Sequence, residues 1–187
     1  FYDTLIEWDF QTLAPIPSLA KAFDFTDPQT LVLTLEEGVT FHDGTPFNAE
    51  AVVFNLERNR SAETSNVKPD LATIESTEAT GEFEVTIRLK QPDTALPLIL
   101  SDRAGMMVSP TALGNDPEAN VNRNAVGAGP WRFVSWTDHD QVEGARNETY
   151  WREGQPAMDN LVMKITPERA TAMRAVQSGQ SDLAYSL

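Results

Sequence analysis

The sequence predicts a mixed α/β (α+β) fold in which β-hairpins precede a strand–helix–strand unit. Two observations predict the hairpins: apolar and polar residues alternate over short runs, and turn-forming residues separate these runs. A third observation comes from the C-terminal part, where the strand-like run 160–167 is followed by the helix-like run 168–180. A further strand-like run, 182–187, closes the chain, so this part predicts a right-handed crossover unit.

Composition excludes several classes of protein. The 187 residues are 41% hydrophobic and 22% charged, which is typical of a globular protein with a hydrophobic core. The net charge of -14 would repel a phosphate backbone, so we expect no nucleic-acid partner. The absence of cysteine excludes disulfide scaffolds, thiolate metal sites and cysteine nucleophiles. No apolar run approaches the roughly 18 residues of a membrane-spanning helix.

The first quarter of the chain predicts extended structure. Residues 3–9 alternate weakly and predict a short strand, and residues 11–19 contain two prolines, which favour an extended connector. Alternation resumes at 21–26 and 30–36 around the turn Asp27-Pro28-Gln29. These two runs predict the first hairpin.

A helix is predicted next, over residues 48–59. Asn48 is a suitable N-cap, and Glu50 in the first turn favours the helix dipole. Apolar residues recur there with helical period. Residues 60–70 are polar, contain a proline and predict a loop.

The middle of the chain predicts a second hairpin and two short apolar elements. Runs 71–79 and 82–90 flank Thr80-Gly81 and predict the hairpin. Residues 94–101 favour a short helix and residues 105–109 a short strand.

The following stretch, 110–128, is rich in Asn, Pro and Gly, and it predicts a domain boundary within 108–125. A third hairpin, 130–138 with 141–147, is expected around His139-Asp140. Gly179 is expected to end the last helix.

No arrangement of residues predicts catalysis. His42 and His139 are the only histidines, and each adjoins an aspartate in a predicted turn. Neighbouring side chains in extended backbone point to opposite sides, so adjacency does not make a catalytic dyad. Both histidines are interpreted as polar turn residues. Neither the histidines nor the carboxylates have metal-ligand spacing, so no metal site and no cofactor are expected.

Three weaker patterns occur along the chain. The run Gly127–Pro130 is too short for a dinucleotide loop and precedes a strand, so we interpret it as a tight approach of backbone into strand 130–138. Asn59-Arg60-Ser61 and Asn147-Glu148-Thr149 match the N-glycosylation sequon. Of the aromatic residues of strand 130–138, Trp131 and Phe133 share one face and Trp136 takes the other. One face is expected in the core, and the rest could line a binding cleft.

A set of motifs in order resembles the family 5 extracellular solute-binding proteins, the receptors of peptide, nickel and related ABC importers. The motifs that carry this resemblance are GVTFHDGTPFNAEAVVF at 38–54, VSP at 108–110, GAGPWRF at 127–133, RNETYW at 146–151, PAMDNLVMKI at 156–165 and AVQSGQSDLAY at 175–185. Order and spacing hold over essentially the whole chain. Departures are mild: Ser18, Phe23 and Trp131 stand where Gly, Trp and Tyr are usual in the family.

The resemblance implies a type II periplasmic-binding-protein-like fold that is only partly present. Residues 1–107 would form the small β-rich subdomain and residues 108–187 part of the first α/β lobe, with the second lobe absent. The chain begins at Phe1 without a signal peptide, so we expect a removed leader or a fragment, unable to enclose a ligand alone. In such proteins the His42 turn links a hairpin to a helix, with Gly44 adopting the required backbone angles.

The resemblance also suggests where a ligand would bind. The segment 101–109 would line the cleft, with Asp102, Arg103, Met106 and Met107 as candidate ligand contacts. Arg103 could pair with a ligand carboxylate, or else form a surface salt bridge with Asp102 or Asp70. Met106 could be an adaptable apolar wall, or else a core residue. Residues 63–68, including Asn66, would form a rim.

The function implied is non-enzymatic: capture of a peptide or similar small solute and delivery to an ABC permease at the membrane. Such a receptor is exported, being periplasmic or extracellular and in some bacteria lipid-anchored, and a monomer is expected. Within the family, a receptor for nickel chelates, oligosaccharides or opines remains an alternative. From other classes, a hydrolase on the same scaffold or a binding protein without a transport role remain open.

Overall fold

A computed structural model describes residues 1–114 and 123–185 of the chain. It confirms the predicted mixture of helices and sheets. The domain boundary expected within 108–125 lies partly outside the described residues, and the division into residues 1–107 and 108–187 stays a prediction.

A four-stranded antiparallel sheet organises the first half. Its strands are β3 (Ala20–Asp27), β4 (Thr30–Leu35), β5 (Ile74–Gly81) and β6 (Glu84–Leu89), in the order β3-β4-β6-β5. Both predicted hairpins are therefore confirmed. The second turn was predicted at Thr80-Gly81 but lies two residues later, because β5 continues through Gly81 across an irregularity in its register.

Helix α1 (Ala49–Ser61) packs on β5 and β6. Asn48 caps it as predicted, because its side-chain oxygen accepts the backbone N–H of Ala51 at 3.0 Å. Val52 and Leu56 are fully buried on the face turned to the sheet. This packing stabilises the helix more than its own propensity does.

The N-terminal segment pairs with the predicted connector. β1 (Ile6–Trp8) and β2 (Pro15–Pro17) form a two-stranded antiparallel ribbon. The connector prediction was thus right about extended backbone but missed the pairing. After β6 the chain forms the short helix α2 (Leu96–Ile99), where a helix was predicted, and a 3-10 turn at Arg103–Gly105.

The segment 105–109 is not the predicted strand. It forms only isolated bridges, one between Met106 and Thr4 and one between Val108 and Gly127. The reason is that its backbone groups are taken by side chains as well as by neighbouring backbone, as described below.

A three-stranded antiparallel sheet follows, in the order β7 (Trp131–Thr137), β8 (Gln141–Arg146) and β9 (Asn160–Lys164). The predicted third hairpin and the strand after it are confirmed. Helix α3 (Arg169–Gln177) ends before Gly179, whose φ of 73° is left-handed. Residues 182–185 are not in a strand, so the crossover prediction fails there, and 186–187 lie outside the described residues.

The hydrophobic core belongs almost entirely to the first half. Among described residues, the main cluster of buried residues draws on β1, β4, β6, α1 and α2, and Ala128 is its single member beyond residue 107. Helix α3 buries none of its residues. The predicted apolar face of α3 is therefore not covered by the described part of the chain.

Candidate functional site

The candidate site is the segment 101–109, which lies between the N-terminal residues and helix α1. Two backbone hydrogen bonds join it to the N-terminal stretch: Leu5 donates its N–H to Gly105 at 2.9 Å, and Met107 donates to Asp3 at 3.1 Å. The segment is thus paired with extended backbone on one side.

Two side-chain amides hold the segment from the other side. Asn55, fully buried, donates to the carbonyl of Val108 at 2.8 Å and accepts the N–H of Val108 at 3.1 Å. One helical turn later, Asn59 donates to the carbonyl of Ala104 at 3.2 Å. Because unpaired buried backbone groups are costly, these amides fix the segment against α1.

Sequence reasoning missed Asn55 and Asn59. Both lie on the buried side of an amphipathic helix, four residues apart. A polar amide among buried apolar positions needs hydrogen-bond partners, and that signal could have found them.

The structure separates the candidate ligand contacts by exposure. Asp102, Arg103 and Asn66 are exposed, and Met106 is half-buried. Met107 is fully buried in the core cluster and presents no surface. Of the four side chains expected to contact a ligand in segment 101–109, only those of Asp102, Arg103 and Met106 are therefore accessible.

Asp102 and Arg103 border a shallow depression of about 350 Å³, lined also by Asp70, Ala95, Leu98, Ile99 and Ala104. Arg103 forms no ion pair within the described part of the chain, so neither of the expected partners, Asp102 and Asp70, neutralises it there. The depression offers one cation and two carboxylates beside apolar side chains.

The turn at His42 links the part of the chain with the four-stranded sheet to the part with the three-stranded sheet. It has no catalytic arrangement. His42 is buried, with its Nε2 2.9 Å from the carbonyl oxygen of Gly129, and its Nδ1 accepts the N–H of Gly127 at 3.4 Å. Burial lowers its pKa, with the charge of Arg132 acting in the same direction. A neutral imidazole bonded to backbone at both nitrogens has no free nitrogen to serve as a base.

Asp43, the neighbour of His42, has different partners. It accepts the hydroxyl of Ser109 at 2.5 Å and the hydroxyl of Thr45 at 2.6 Å. Burial acts to raise the pKa of Asp43, but these hydrogen bonds outweigh it and hold that pKa below its ordinary value. The turn thereby ties the end of the candidate segment to the hairpin, and Gly44, at φ 83°, provides the left-handed residue that it requires.

The N-terminal residues cross the chain at the glycine-rich run 127–129, just before β7. A Cβ on Gly127 would lie 2.3 Å from the carbonyl oxygen of Phe1, and one on Gly129 would lie 2.7 Å from the carbonyl carbon. A tight backbone approach is present as predicted, but its partner is the N-terminal stretch, which the sequence did not indicate. It sets the position of the N-terminal stretch that pairs with the candidate segment.

The RNETYW motif holds the other side of the N-terminal stretch. Asp3, which is buried, accepts the Nε1–H of Trp151 at 2.7 Å and the hydroxyl of Tyr150 at 2.9 Å. Burial raises the pKa of Asp3, although both hydrogen bonds oppose this. Arg152 forms an ion pair with Glu7 at 2.5 Å. The motif thus anchors the residues before β1, and Arg152, directly after the motif, anchors β1.

The remaining patterns have structural explanations. Asn59 and Asn147, the two sequon asparagines, are buried, which prevents attachment of a glycan in the folded chain. Phe133 packs edge-on to Phe1, while Trp136 is exposed with the Arg123 guanidinium over its ring.

The described residues contain no group of three or more His, Cys, Asp or Glu side chains placed to hold a metal ion. In the same part of the chain, no helix has both the length and the apolar character needed to cross a bilayer.

Comparison with known proteins agrees with this architecture. The glutathione-binding protein GsiB of Pectobacterium atrosepticum is 34% identical over 187 residues, covering 99% of this chain and 36% of the relative. The solved structure of NikZ from Campylobacter jejuni with Ni(L-His) superposes with a TM-score of 0.86 at 27% identity, over 96% of this chain and 36% of that one. The oligopeptide-binding protein AppA from Bacillus subtilis, solved with a nonapeptide, gives a TM-score of 0.86 at 26% identity, with the same coverage.

This chain thus spans about a third of the length of the relatives that it matches. Residues 14–187 match the family described as bacterial extracellular solute-binding proteins, family 5 middle. The match begins just before β2 and extends through both sheets and helix α3. The chain belongs to the family 5 bacterial extracellular solute-binding proteins.

Proposed function

We propose that this chain is part of the substrate receptor of an ABC importer, which captures a peptide or similar small solute and delivers it to a membrane permease. The observation that carries the proposal is membership of the family over nearly the whole chain. The rigid support of segment 101–109 by Asn55 and Asn59 is consistent with it, because a binding surface needs a fixed backbone.

A peptide is the solute that the relatives favour. Curated relatives at 32–34% identity are named glutathione-binding proteins, and glutathione is a tripeptide. AppA, a structural relative, was solved with a nonapeptide. A nickel chelate is the second candidate, because NikZ was solved with Ni(L-His).

The candidate ligand contacts remain those expected from the sequence, now ordered by exposure. Arg103 would receive a carboxylate and Met106 would provide an apolar wall. Asp102 and Asn66 would supply polar contacts at the rim. Met107 would act from the core, by fixing the backbone beneath Met106.

The mechanism is capture by closure. A solute that contacts two lobes stabilises the closed arrangement in proportion to its preference for that state. The closed receptor would then dock on the permease, while ATP hydrolysis would take place in a separate subunit. The receptor itself would be a monomer without catalytic turnover, exported to the periplasm or the cell exterior, or held there by a lipid.

Calorimetric titration of the full gene product that contains this chain tests the proposal. The ligands are glutathione, a series of short peptides, Ni(L-His) and an unrelated sugar. Saturable binding of a peptide, with a negative heat-capacity change as the cleft closes, supports peptide capture. Binding of Ni(L-His) alone would favour the second candidate, and hydrolysis of any of these peptides would contradict the proposal.

A further inference from the structure

The imidazole of His42 is held in one protonation state by two backbone groups of the glycine-rich run 127–129. Its Nε2 lies 2.9 Å from the carbonyl oxygen of Gly129, and its Nδ1 accepts the N–H of Gly127 at 3.4 Å. A carbonyl oxygen can only accept a hydrogen bond, and a backbone N–H can only donate one. The two partners therefore specify the neutral tautomer that carries its proton on Nε2.

Protonation of His42 is incompatible with this arrangement. The added proton would lie on Nδ1 and face the N–H of Gly127, so that two donors would meet. Gly127 is buried, and a buried N–H that loses its acceptor is destabilised. The run 127–129 therefore has to move when His42 becomes charged.

The positive charges around the imidazole also oppose its protonation. Burial lowers the pKa of His42, and the charges of the Phe1 amino group and of Arg132 act in the same direction. The backbone carbonyls of Gly129 and Ala125 favour the protonated form, but the pKa stays below its ordinary value. The guanidinium of Arg132 also donates a hydrogen bond to the carbonyl of His42, which places this cation at the turn.

Asp43, the carboxylate next to His42 in the sequence, is turned to other partners. It accepts the hydroxyls of Ser109 at 2.5 Å and Thr45 at 2.6 Å. Burial acts to raise the pKa of Asp43, but these hydrogen bonds outweigh it and keep that pKa low. Mild acidification therefore changes the charge of His42 while Asp43 stays ionised.

The glycine-rich run contacts the candidate segment 101–109 directly. Gly127 is bridged to Val108, and the carbonyl of Val126 accepts the N–H of Ser109 at 2.9 Å. A displacement of the run would therefore pull on the C-terminal end of the segment.

The run also reaches the segment through the N-terminal stretch. Gly129 donates its N–H to the carbonyl of Phe1 at 3.1 Å. Two residues later, the carbonyl of Asp3 accepts the N–H of Met107 at 3.1 Å. The backbone of the candidate segment thus depends on the run from two sides.

We propose that His42 is a positioning residue for solute capture, because its neutral imidazole fixes the run 127–129 and thereby segment 101–109, and that acidification weakens solute binding. This inference rests on the proposed receptor function and adds a pH dependence to it. A displaced run leaves His42 freer to take up a proton, so it does so at a higher pH than the run in its observed position. Binding should therefore be at its full strength above pH 6.5 and should fall as the pH drops through the lowered folded value.

The test is the affinity of the full gene product for glutathione, measured by calorimetric titration from about pH 7 to about pH 5, where histidine is the side chain that ordinarily titrates. The carboxyl, thiol and amino groups of glutathione titrate mainly outside this range. Wild-type affinity should fall by about fivefold or more, since one titrating group can change it by up to about tenfold per pH unit. His42→Gln should keep its affinity within about twofold, because an amide offers a donor and an acceptor but does not titrate.

His139→Asn is the matched control, because it removes the other histidine, which is exposed in a turn. It should show the same fall in affinity as the wild-type protein. A wild-type affinity that does not change with pH would overturn the proposal, as would an equally steep fall in His42→Gln.

If the wild-type protein does not bind glutathione, the solute assignment fails separately, and the role of His42 is tested without a ligand. The readout is amide hydrogen exchange of segment 101–109 in the wild-type protein, with β6 as internal reference and both corrected for the intrinsic effect of pH. Between about pH 7 and about pH 5 the segment should lose protection while β6 keeps it. This measurement also applies if His42→Gln does not fold. Unchanged protection of the segment, or an equal loss in β6, overturns the proposal.

Discussion

The side chain of Asn55 binds Val108 at both of its backbone groups, donating to the carbonyl at 2.8 Å and accepting the N–H at 3.1 Å. Asn55→Ala leaves both groups buried and unpaired and opens a small cavity. We expect the free energy of unfolding to fall by roughly 2–4 kcal/mol, measured by urea denaturation. Glu50→Gln, on the exposed side of the same helix, should change it by less than about 0.5 kcal/mol. Equal effects of the two substitutions would contradict this account of the segment.

The close crossing at Gly129 predicts a large effect of a single methyl group. A Cβ there would lie 2.7 Å from the carbonyl carbon of Phe1 and 2.9 Å from the backbone nitrogen of Tyr2. Since backbone cannot yield as a flexible side chain does, Gly129→Ala should cost about 1–3 kcal/mol of stability. Gly81→Ala is the control, because its Cβ would meet Glu84 at an ordinary 3.4 Å. If thermal unfolding shows Gly81→Ala to be less stable than Gly129→Ala, the close crossing is refuted.

The buried His42 predicts a pH dependence of stability. Its pKa is lowered from 6.5 in the folded chain, first by burial and also by the charge of Arg132. The unfolded chain therefore takes up a proton at a higher pH than the folded chain does. The stability contributed by neutral His42 is complete above pH 6.5 and is lost as the pH falls towards the lowered folded value.

The change to measure is the slope of unfolding free energy against pH just below pH 6.5. His42→Gln should flatten that slope, because the substituted amide does not titrate. His139→Asn is the control, since His139 is exposed in a turn at φ 59° and Asn accepts left-handed backbone. If the slope persists in His42→Gln, or is lost in His139→Asn, a group other than His42 causes the pH dependence.

Arg103 gives a prediction about ligand affinity. It is exposed at the depression beside Asp102 and has no described ion pair, so its removal should leave stability nearly unchanged. In the full gene product, Arg103→Ala should weaken binding of a carboxylate-bearing peptide by more than about tenfold. Lys90→Ala, which removes an exposed cation just after β6, is the control. Unchanged peptide affinity in Arg103→Ala would remove Arg103 from the binding surface.

The elements with strict periodicity were predictable from the sequence. Strand β4 alternates cleanly because one face of the sheet packs against the core, and α1 has both a cap and a buried stripe. The run 105–109 was misread as a strand because a short apolar run does not reveal its partners. Its residue Val108 is held at both backbone groups by Asn55, which lies about fifty residues earlier.

The C-terminal part was less predictable for a related reason. The crossover prediction assumed that residues 182–187 would join a sheet, but strand formation needs a neighbour, and the described residues 182–185 have none. That segment 101–109 contacts a ligand stays a prediction from the family resemblance, and the sequence alone does not rank its side chains by exposure. Met106 and Met107 are adjacent, and in the structure Met106, bridged to Thr4, is half-buried while Met107 lies in the core.

Native mass spectrometry of the full gene product, purified without denaturation, tests the central claim most directly. The account predicts a one-to-one complex whose bound mass corresponds to a peptide, released when the protein is unfolded. A bound nickel chelate would support the receptor function but contradict a peptide as its solute. A protein that is empty as purified and stays empty with peptides, chelates and sugars would contradict the claim that this chain serves solute capture.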